Sequence, residues 1–183
     1  PGMVMGPYGV HWDRGQTWWP MVDSYHRYLS RCQQLLRQGR TVADVLYLIP
    51  EGAPTVFQPP PSAFAGSSRL ADRRGYNFDG CSAEVLQKFA KTKSGKIVFP
   101  SGAEYQLLVL PSVETMTPGL LEKIERLVRA GATVAGNPPR KWPSLGNYPE
   151  CDRHVADQAK LLWGGLTPLP GRASKPHGKG RVI

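Results

Sequence analysis

Apolar residues between Met21 and Gln38 recur every three or four positions, directly after an opening that is rich in glycine and proline. Residues with this spacing share one face of an α-helix, so the pattern predicts an amphipathic helix. Asp23 and Arg37 complement the helix dipole at the two ends, and Gly39 is expected to end the helix. The apolar face consists of Val22, Tyr25, Tyr28, Leu29, Cys32, Leu35 and Leu36.

From residue 42 to about 165, short apolar runs alternate with amphipathic segments. Residues 42–50 form a nearly continuous apolar run, which is typical of a strand buried on both faces. The alternation predicts an α/β fold with a doubly wound, mostly parallel sheet. The further predicted strands are 76–79, 96–99, 105–110 and 133–136, and the predicted helices are 82–91, 117–130 and 152–163.

Two of these helices begin at recognisable capping residues. Ser82 is expected to cap the first helix, whose buried side would consist of Val85, Leu86 and Phe89. Thr117 is expected to cap the second helix, and the proline that follows suits its first turn.

Two further segments carry little regular pattern. Residues 51–75 form a loop rich in proline, glycine and serine, and a loop of this length in a compact domain indicates a functional excursion. Residues 178–180 read Gly-Lys-Gly, which lacks the rest of a phosphate-binding loop and is interpreted as a turn. Residues 181–183 are similar to the start of another strand.

Composition excludes several classes of partner. The chain has 183 residues, of which 40% are hydrophobic, enough for one globular domain and part of another. It contains no run of about 18 apolar residues, so no membrane partner is expected. The net charge of +9 is spread over several loops, so no nucleic-acid partner is expected either. The opening lacks the pattern of a signal peptide, and we expect the chain to begin inside a longer protein.

The densest candidate chemistry lies in residues 9–19, which carry one histidine, one aspartate, one arginine and three tryptophans. Polar side chains beside flat aromatic surfaces suit a sugar, because they bond its hydroxyl groups and cover its C–H face. The predicted substrate-binding residues are His11, Asp13, Arg14, Trp18 and Trp19. The alternative is a surface network of the aspartate and arginine, with the two tryptophans packed under the helix. For the tryptophans this packing interpretation is favoured.

Several motifs in the chain resemble bacterial α-L-rhamnosidases of glycoside hydrolase family 106. They include Gly-Val-His-Trp-Asp-Arg-Gly-Gln-Thr-Trp-Trp at 9–19, Tyr-Leu-Ser-Arg-Cys-Gln at 28–33 and Val-Ala-Asp-Val-Leu-Tyr at 42–47. Looser matches are Gly-Ala-Glu-Tyr at 102–105 and Leu-Val-Leu-Pro at 108–111. The resemblance implies a piece of a larger enzyme that removes terminal rhamnose from plant or bacterial glycans.

The resemblance also implies a division of the chain. Residues 1–40 would be the last loop and helix of a catalytic (β/α)8 barrel that lies upstream. Residues 41–168 would be a flavodoxin-like accessory domain, similar to class I glutamine amidotransferases, and residues 169–183 a linker into a further domain. Loops that follow barrel strands gather at the face where substrate binds, which would bring the 9–19 residues near the sugar.

Glycoside hydrolysis by the common route needs two carboxyl groups that flank the scissile bond. The resemblance implies an inverting pair of glutamates and a calcium ion that helps to hold the sugar. The first glutamate of this chain is Glu51, beyond the barrel remnant, so we expect the pair upstream and this polypeptide to be inactive alone. No cofactor is expected within the chain itself. The parent enzyme is expected in the periplasm or outside the cell.

An amidotransferase-like domain raises the question of a cysteine nucleophile. Cys81 lies between a predicted strand and a predicted helix, but Asp79 and Ala83 stand where the nucleophile turn has glycines. The two candidate partner histidines, His154 and His177, have no recognisable spacing to an acid. Cys81 is therefore expected to be a small buried residue. The alternative function for the whole chain is a free-standing flavodoxin-like binding module without hydrolase activity.

Overall fold

A computed structural model describes residues 12–52, 77–171 and 173–183. The chain divides into two compact units, Pro1–Arg40 and Thr41–Ile183. His11 and most of the predicted 51–75 loop lie outside the described residues.

The described part of the first unit, residues 12–40, contains a turn, a short 3₁₀ helix at Trp19–Met21 and helix α1 at Val22–Leu36. The predicted amphipathic helix is confirmed, but its end differs from the prediction. Arg37 caps the helix in a right-handed conformation, and Gly39 has no left-handed φ. Val22 is the buried residue of α1, while Cys32, expected in a core, is only half-buried.

The second unit is an α/β structure with a mostly parallel central sheet. In the described chain its order is β2-β1-β6-β7-β9-β8. The first five of these are mutually parallel, and β8 pairs antiparallel with β9. The strands are β1 Val45–Leu48, β2 Phe78–Cys81, β6 Leu107–Val109, β7 Thr133–Ala135, β8 Lys175–His177 and β9 Gly180–Val182. Numbered by themselves along the chain, the parallel strands run in the order 2-1-3-4-5.

A small antiparallel sheet lies between the second and third parallel strands in sequence. It consists of β3 Lys91–Lys93, β4 Lys96–Val98 and β5 Glu104–Tyr105. The sequence pattern predicted one strand over 105–110, but the structure divides it between β5 and β6. Gln106 separates the two strands, and its backbone N–H donates to the Asp44 carbonyl oxygen.

The described part of the second unit contains three helices: α2 Ala83–Phe89, α3 Pro118–Arg129 and α4 Glu150–Trp163. The predicted face of α3 is confirmed, because all five of its apolar residues are buried. The predicted buried side of α2 is wrong for two residues. Leu86 is buried, whereas Val85 and Phe89 are exposed, because this two-turn helix turns a single residue fully inward. The buried face of α3 consists of Leu120, Leu121, Ile124, Leu127 and Val128.

The last residues of the chain belong to the central sheet. Strand β9 lies between β7 and β8, and Val182 has no exposed surface. The strand-like character of 181–183 is therefore confirmed, but the sheet extends beyond the 41–168 range predicted for it. Apolar side chains from both ends of the unit share one core. Within the described residues, no helix has the length and apolar character needed to span a membrane.

Candidate functional site

The described part of the 9–19 stretch forms a tight turn that leads into the 3₁₀ helix. The Asp13 carboxylate accepts a hydrogen bond from the Gly15 backbone N–H at 2.6 Å, which is an Asx-type turn. Arg14 is exposed, and no ion pair joins it to Asp13 in the described chain. The Asp13–Arg14 surface network considered as an alternative is therefore not formed here. The second carboxylate oxygen of Asp13 forms no hydrogen bond with any described residue.

An aromatic cluster lies directly beside this turn. The Trp12 ring stacks on Tyr25 at 5.6 Å and on His26 at 5.2 Å, with interplanar angles of 21° and 22°. The Trp18 ring meets Trp12 edge to face, at 5.1 Å and 82°. Both geometries are favourable for aromatic pairs. The cluster fixes the orientation of Trp12 although that residue is itself exposed.

A shallow cavity of about 320 Å³ opens beside the cluster. It is lined by Trp12, Trp18, Met21, Val22 and Tyr25. Its lining residues are mostly apolar, their polar side-chain groups being the tyrosine hydroxyl and the two indole N–H groups, and Trp12 and Tyr25 are exposed. This surface is suited to contact with another apolar surface or with the C–H face of a sugar ring.

The structure brings together only part of the predicted set. Trp18 joins the aromatic cluster, whereas Trp19 is exposed at the start of the 3₁₀ helix. Sequence reasoning missed Tyr25, because it was assigned to the apolar face of the helix, and gave His26 no role. The signal was present in the spacing, since residues 18, 22 and 25 recur at helical intervals.

The carboxyl ends of the parallel strands carry a second group of polar residues. Glu51 follows β1, and its two carboxylate oxygens accept hydrogen bonds from the Thr117 backbone N–H at 2.8 Å and hydroxyl at 2.7 Å. Thr117 was expected to cap α3 with its own side chain, but it forms no such bond. The glutamate replaces it, because a carboxylate at a helix N-terminus bonds the free N–H groups and complements the helix dipole.

Cys81 is buried at the end of β2, as the sequence predicted. Burial raises the pKa of its thiol to about 11, and a backbone hydrogen bond at Leu86 only partly offsets this rise. The neighbouring Tyr105 hydroxyl donates a hydrogen bond to Asp79 at 2.8 Å. Burial and this carboxylate raise the pKa of Tyr105 as well. Nucleophilic cysteines need a lowered pKa, so these surroundings do not activate Cys81.

The two histidines of the second unit do not pair with Cys81. His177 lies 2.6 Å from a Glu125 oxygen, and the same oxygen forms an ion pair with Arg129 at 2.6 Å. His154 is exposed on α4. No cysteine–histidine pair is therefore formed within the described chain.

A bound calcium ion requires a converging set of oxygen ligands. Ca²⁺ in proteins takes six to eight oxygen ligands, several of them from carboxylates. Within the described ranges no three histidine, cysteine, aspartate or glutamate side chains converge in a way that could hold a metal ion. The described residues therefore do not fit the calcium ion that the resemblance implies for the parent enzyme.

Comparison with known proteins places the chain in a family. The sequence profile of the α-L-rhamnosidases of glycoside hydrolase family 106 matches residues 1–183, the full chain. The chain belongs to this family. A solved rhamnosidase from Novosphingobium sp. PP1Y is similar in structure, with a TM-score of 0.66 and 31% identity over 98% of this chain. A provisionally named beta-glucuronidase of Formosa agariphila is 36% identical over 165 residues, which is 90% of this chain.

The family 106 chain spans only a small share of both relatives. It covers 16% of the Novosphingobium rhamnosidase and 13% of the Formosa protein. The predicted resemblance to the family is confirmed, and the α/β unit is similar to part of a rhamnosidase. This chain therefore matches only one part of each of these longer relatives.

Proposed function

We propose that this chain is part of a longer α-L-rhamnosidase that hydrolyses terminal rhamnose from plant or bacterial glycans. Membership of family 106 over all 183 residues carries this proposal. In it, residues 1–40 are the last loop and helix of the catalytic (β/α)8 barrel. The remaining unit is a supporting domain that takes no part in bond cleavage.

The exposed apolar face of α1 supports the barrel assignment. Tyr25, Tyr28, Leu35 and Leu36 are all exposed, and the two leucines reach 75% and 81%. A helix with a strong apolar stripe normally buries it, because each leucine contributes about 1.5–3 kcal/mol when it leaves water. In a (β/α)8 barrel this face would pack on the strands, and the cavity beside Trp12 and Trp18 would be filled by side chains or border the substrate.

The strand order supports a flavodoxin-like supporting domain. An order of 2-1-3-4-5 in the parallel strands is the arrangement of flavodoxin-like folds. The raised pKa of the buried Cys81 argues against amidotransferase chemistry in this domain. Its proposed role is to support the barrel and to lend the 51–75 loop to the rim of the active site.

The substrate contacts remain those of the 9–19 stretch: His11, Asp13, Arg14, Trp18 and Trp19. The free carboxylate oxygen of Asp13 and the exposed guanidinium of Arg14 suit sugar hydroxyls, and Trp18 borders an apolar cavity. The catalytic glutamates and the calcium ion belong to the upstream barrel in this proposal. The parent enzyme acts in the periplasm or outside the cell.

The test is hydrolysis of 4-nitrophenyl α-L-rhamnopyranoside by the full-length parent enzyme. The two relatives carry names for different sugars, so 4-nitrophenyl β-D-glucuronide is the competing substrate. We expect turnover of the rhamnoside and none by residues 1–183 alone. Turnover of the glucuronide without the rhamnoside would contradict the substrate assignment.

A matched pair of variants tests the substrate contacts in the parent enzyme. Asp13→Asn retains an oxygen for the Gly15 turn but loses its charge, and we expect a fall in kcat/KM of about tenfold, equal to about 1.4 kcal/mol. Asp23→Asn is the control, because Asp23 is an exposed helix residue that pairs with Arg27. Equal effects of the two substitutions would remove Asp13 from the site.

A free-standing binding module is the second candidate, because the second unit has a buried core of its own. The protein isolated from its source decides between the two candidates. A polypeptide of about this length without glycosidase activity favours the module. A much longer polypeptide that cleaves the rhamnoside favours the enzyme.

A further inference from the structure

We infer that the cleft at the carboxyl ends of β6 and β7 is an accessory site for a single sugar residue. The cleft has a volume of about 190 Å³ and lies between the loops that follow these two strands and the segment after α4. Its polar lining consists of Ser112, Glu114, Asn137 and Arg140, and its apolar lining of Val113, Pro138, Leu166 and Pro168.

The polar lining retains capacity to bind a ligand. The Ser112 hydroxyl and the Asn137 amide are exposed, and neither forms a hydrogen bond with another residue of the described chain. Arg140 uses Nη2 to donate to the Leu166 carbonyl oxygen at 2.9 Å, which leaves other N–H groups of its guanidinium available. Glu114 is held by Lys141 at a distance of 3.4 Å.

The walls of the cleft are fixed by hydrogen bonds that cross between the loops. The Arg140 backbone N–H donates to the Glu114 carbonyl oxygen at 2.8 Å, and Met116 N–H donates to the Lys141 carbonyl oxygen at 3.0 Å. The Trp163 indole N–H donates to the Gly136 carbonyl oxygen at 2.8 Å, where the second loop begins. A site with fixed walls loses little entropy when it binds a ligand.

The cleft lies beyond the carboxyl ends of parallel strands. Open parallel sheets bind ligands beyond the carboxyl ends of their strands, most often where the strand order reverses. Here the order reverses between β1 and β6. At that point the Glu51 carboxylate already occupies the free donors of Thr117. The neighbouring crevice, between β6 and β7, keeps polar side chains at Ser112 and Asn137 that form no hydrogen bond within the described chain.

Size and chemistry together indicate a sugar. The volume is below the roughly 300–1,000 Å³ of sites for drug-sized ligands, so one ring fits and an oligosaccharide does not. Amide, hydroxyl and guanidinium groups match vicinal hydroxyls, and the two prolines and Leu166 match the apolar face of a pyranose. The choice of rhamnose as probe rests on the proposed function, whereas the existence of the site does not.

The experiment is a titration of the ¹⁵N-labelled 183-residue protein with methyl α-L-rhamnopyranoside, followed by amide chemical shifts. We expect saturable shifts at residues 112–114 and at the amides of Asn137 and Arg140, with glycerol at equal concentration giving none. The double variant Ser112→Ala, Asn137→Ala should bind about tenfold more weakly, because it loses the hydrogen-bonding groups of two side chains that line the cleft. Gln87→Ala, which removes an exposed amide from α2, is the matched control and should bind normally.

Thermal unfolding of each variant checks that the fold is intact. Absence of shifts in the cleft, or equal shifts in the double variant, would overturn the inference. The result is separable from that of the proposed function. Sugar binding in the cleft stands even if the parent enzyme fails to cleave a rhamnoside, and a rhamnosidase whose cleft binds no sugar would refute the accessory site alone.

Discussion

The reactivity of Cys81 depends on the burial of its thiol. It ends β2 and precedes α2, a placement shared by catalytic cysteines of amidotransferase-like folds. Burial nevertheless raises the pKa of its thiol to about 11, above the value of about 9 for a thiol in water. Cys32 on α1 is only half-buried. The two thiols should therefore differ strongly in their reactivity.

We predict that iodoacetamide at pH 8 alkylates Cys32 first and Cys81 at least about a hundredfold more slowly. A pKa of about 11 leaves Cys81 with about a hundredth of the reactive thiolate that a thiol in water has at this pH. Peptide mass spectrometry after timed quenching measures both rates. Rapid labelling of Cys81 in the folded protein would contradict the burial argument.

The same shift gives a sign for the dependence of stability on pH. A raised pKa means that the folded state holds the proton more tightly than the unfolded state. The contribution is complete below about pH 9 and is lost as the pH rises toward 11. Between pH 8 and pH 10.5, the urea concentration at the unfolding midpoint should therefore decrease less for Cys81→Ala than for the unchanged protein.

Strand β9 packs closely against the backbone at the end of α3, and this contact depends on a glycine. A Cβ added at Gly180 would overlap the backbone carbonyl oxygens of Val128 and Ala132. Backbone atoms at this point cannot move aside as a flexible side chain would. No larger residue fits without displacing either the strand or the helix.

Gly180→Ala should lower the free energy of unfolding by about 1–3 kcal/mol, the usual cost of overpacking. Gly165→Ala is the matched control, because a Cβ there would meet no atom within 4 Å. Chemical denaturation of both variants measures the difference. Equal stability of the two would mean that β9 does not pack as closely as described.

The two units differ in how much apolar surface they bury. The second unit has a core to which the α3 face, the central strands and α4 contribute. The first unit offers a helix of 15 residues whose apolar side is mostly exposed. Isolated helices of this length are marginally stable in water.

Residues 41–183 should therefore fold without residues 1–40 and unfold cooperatively, whereas a 1–40 peptide should show little helix. Circular dichroism of the two polypeptides tests this. A well-formed helix in the isolated peptide would contradict the view that its stability comes from packing. Loss of the cooperative transition in 41–183 would show that the second unit is incomplete.

Sequence reasoning succeeded where periodicity and burial coincide. The α3 face and the Ser82 cap are as predicted, whereas the strand predicted over 42–50 is shorter, at 45–48, and buries Leu46 and Leu48 fully but Val45 and Tyr47 only in part. It failed where a residue's partner lies far along the chain. The carboxylate that replaces the Thr117 cap comes from 66 positions earlier, and no local pattern indicates it. The stacking of Trp12 on Tyr25 and His26 likewise joins a loop to a helix.

Local spacing and extended motifs were enough to indicate the family, the α/β class of the second unit and the amphipathic helix of the first. The entry of β9 into the central sheet, the bond between Glu51 and Thr117 and the polar cleft between β6 and β7 became visible only in the folded chain. Strand pairing, long-range hydrogen bonds and cavities depend on contacts between residues that lie far apart in the sequence. The sequence specifies these long-range contacts only through the packing of the whole unit.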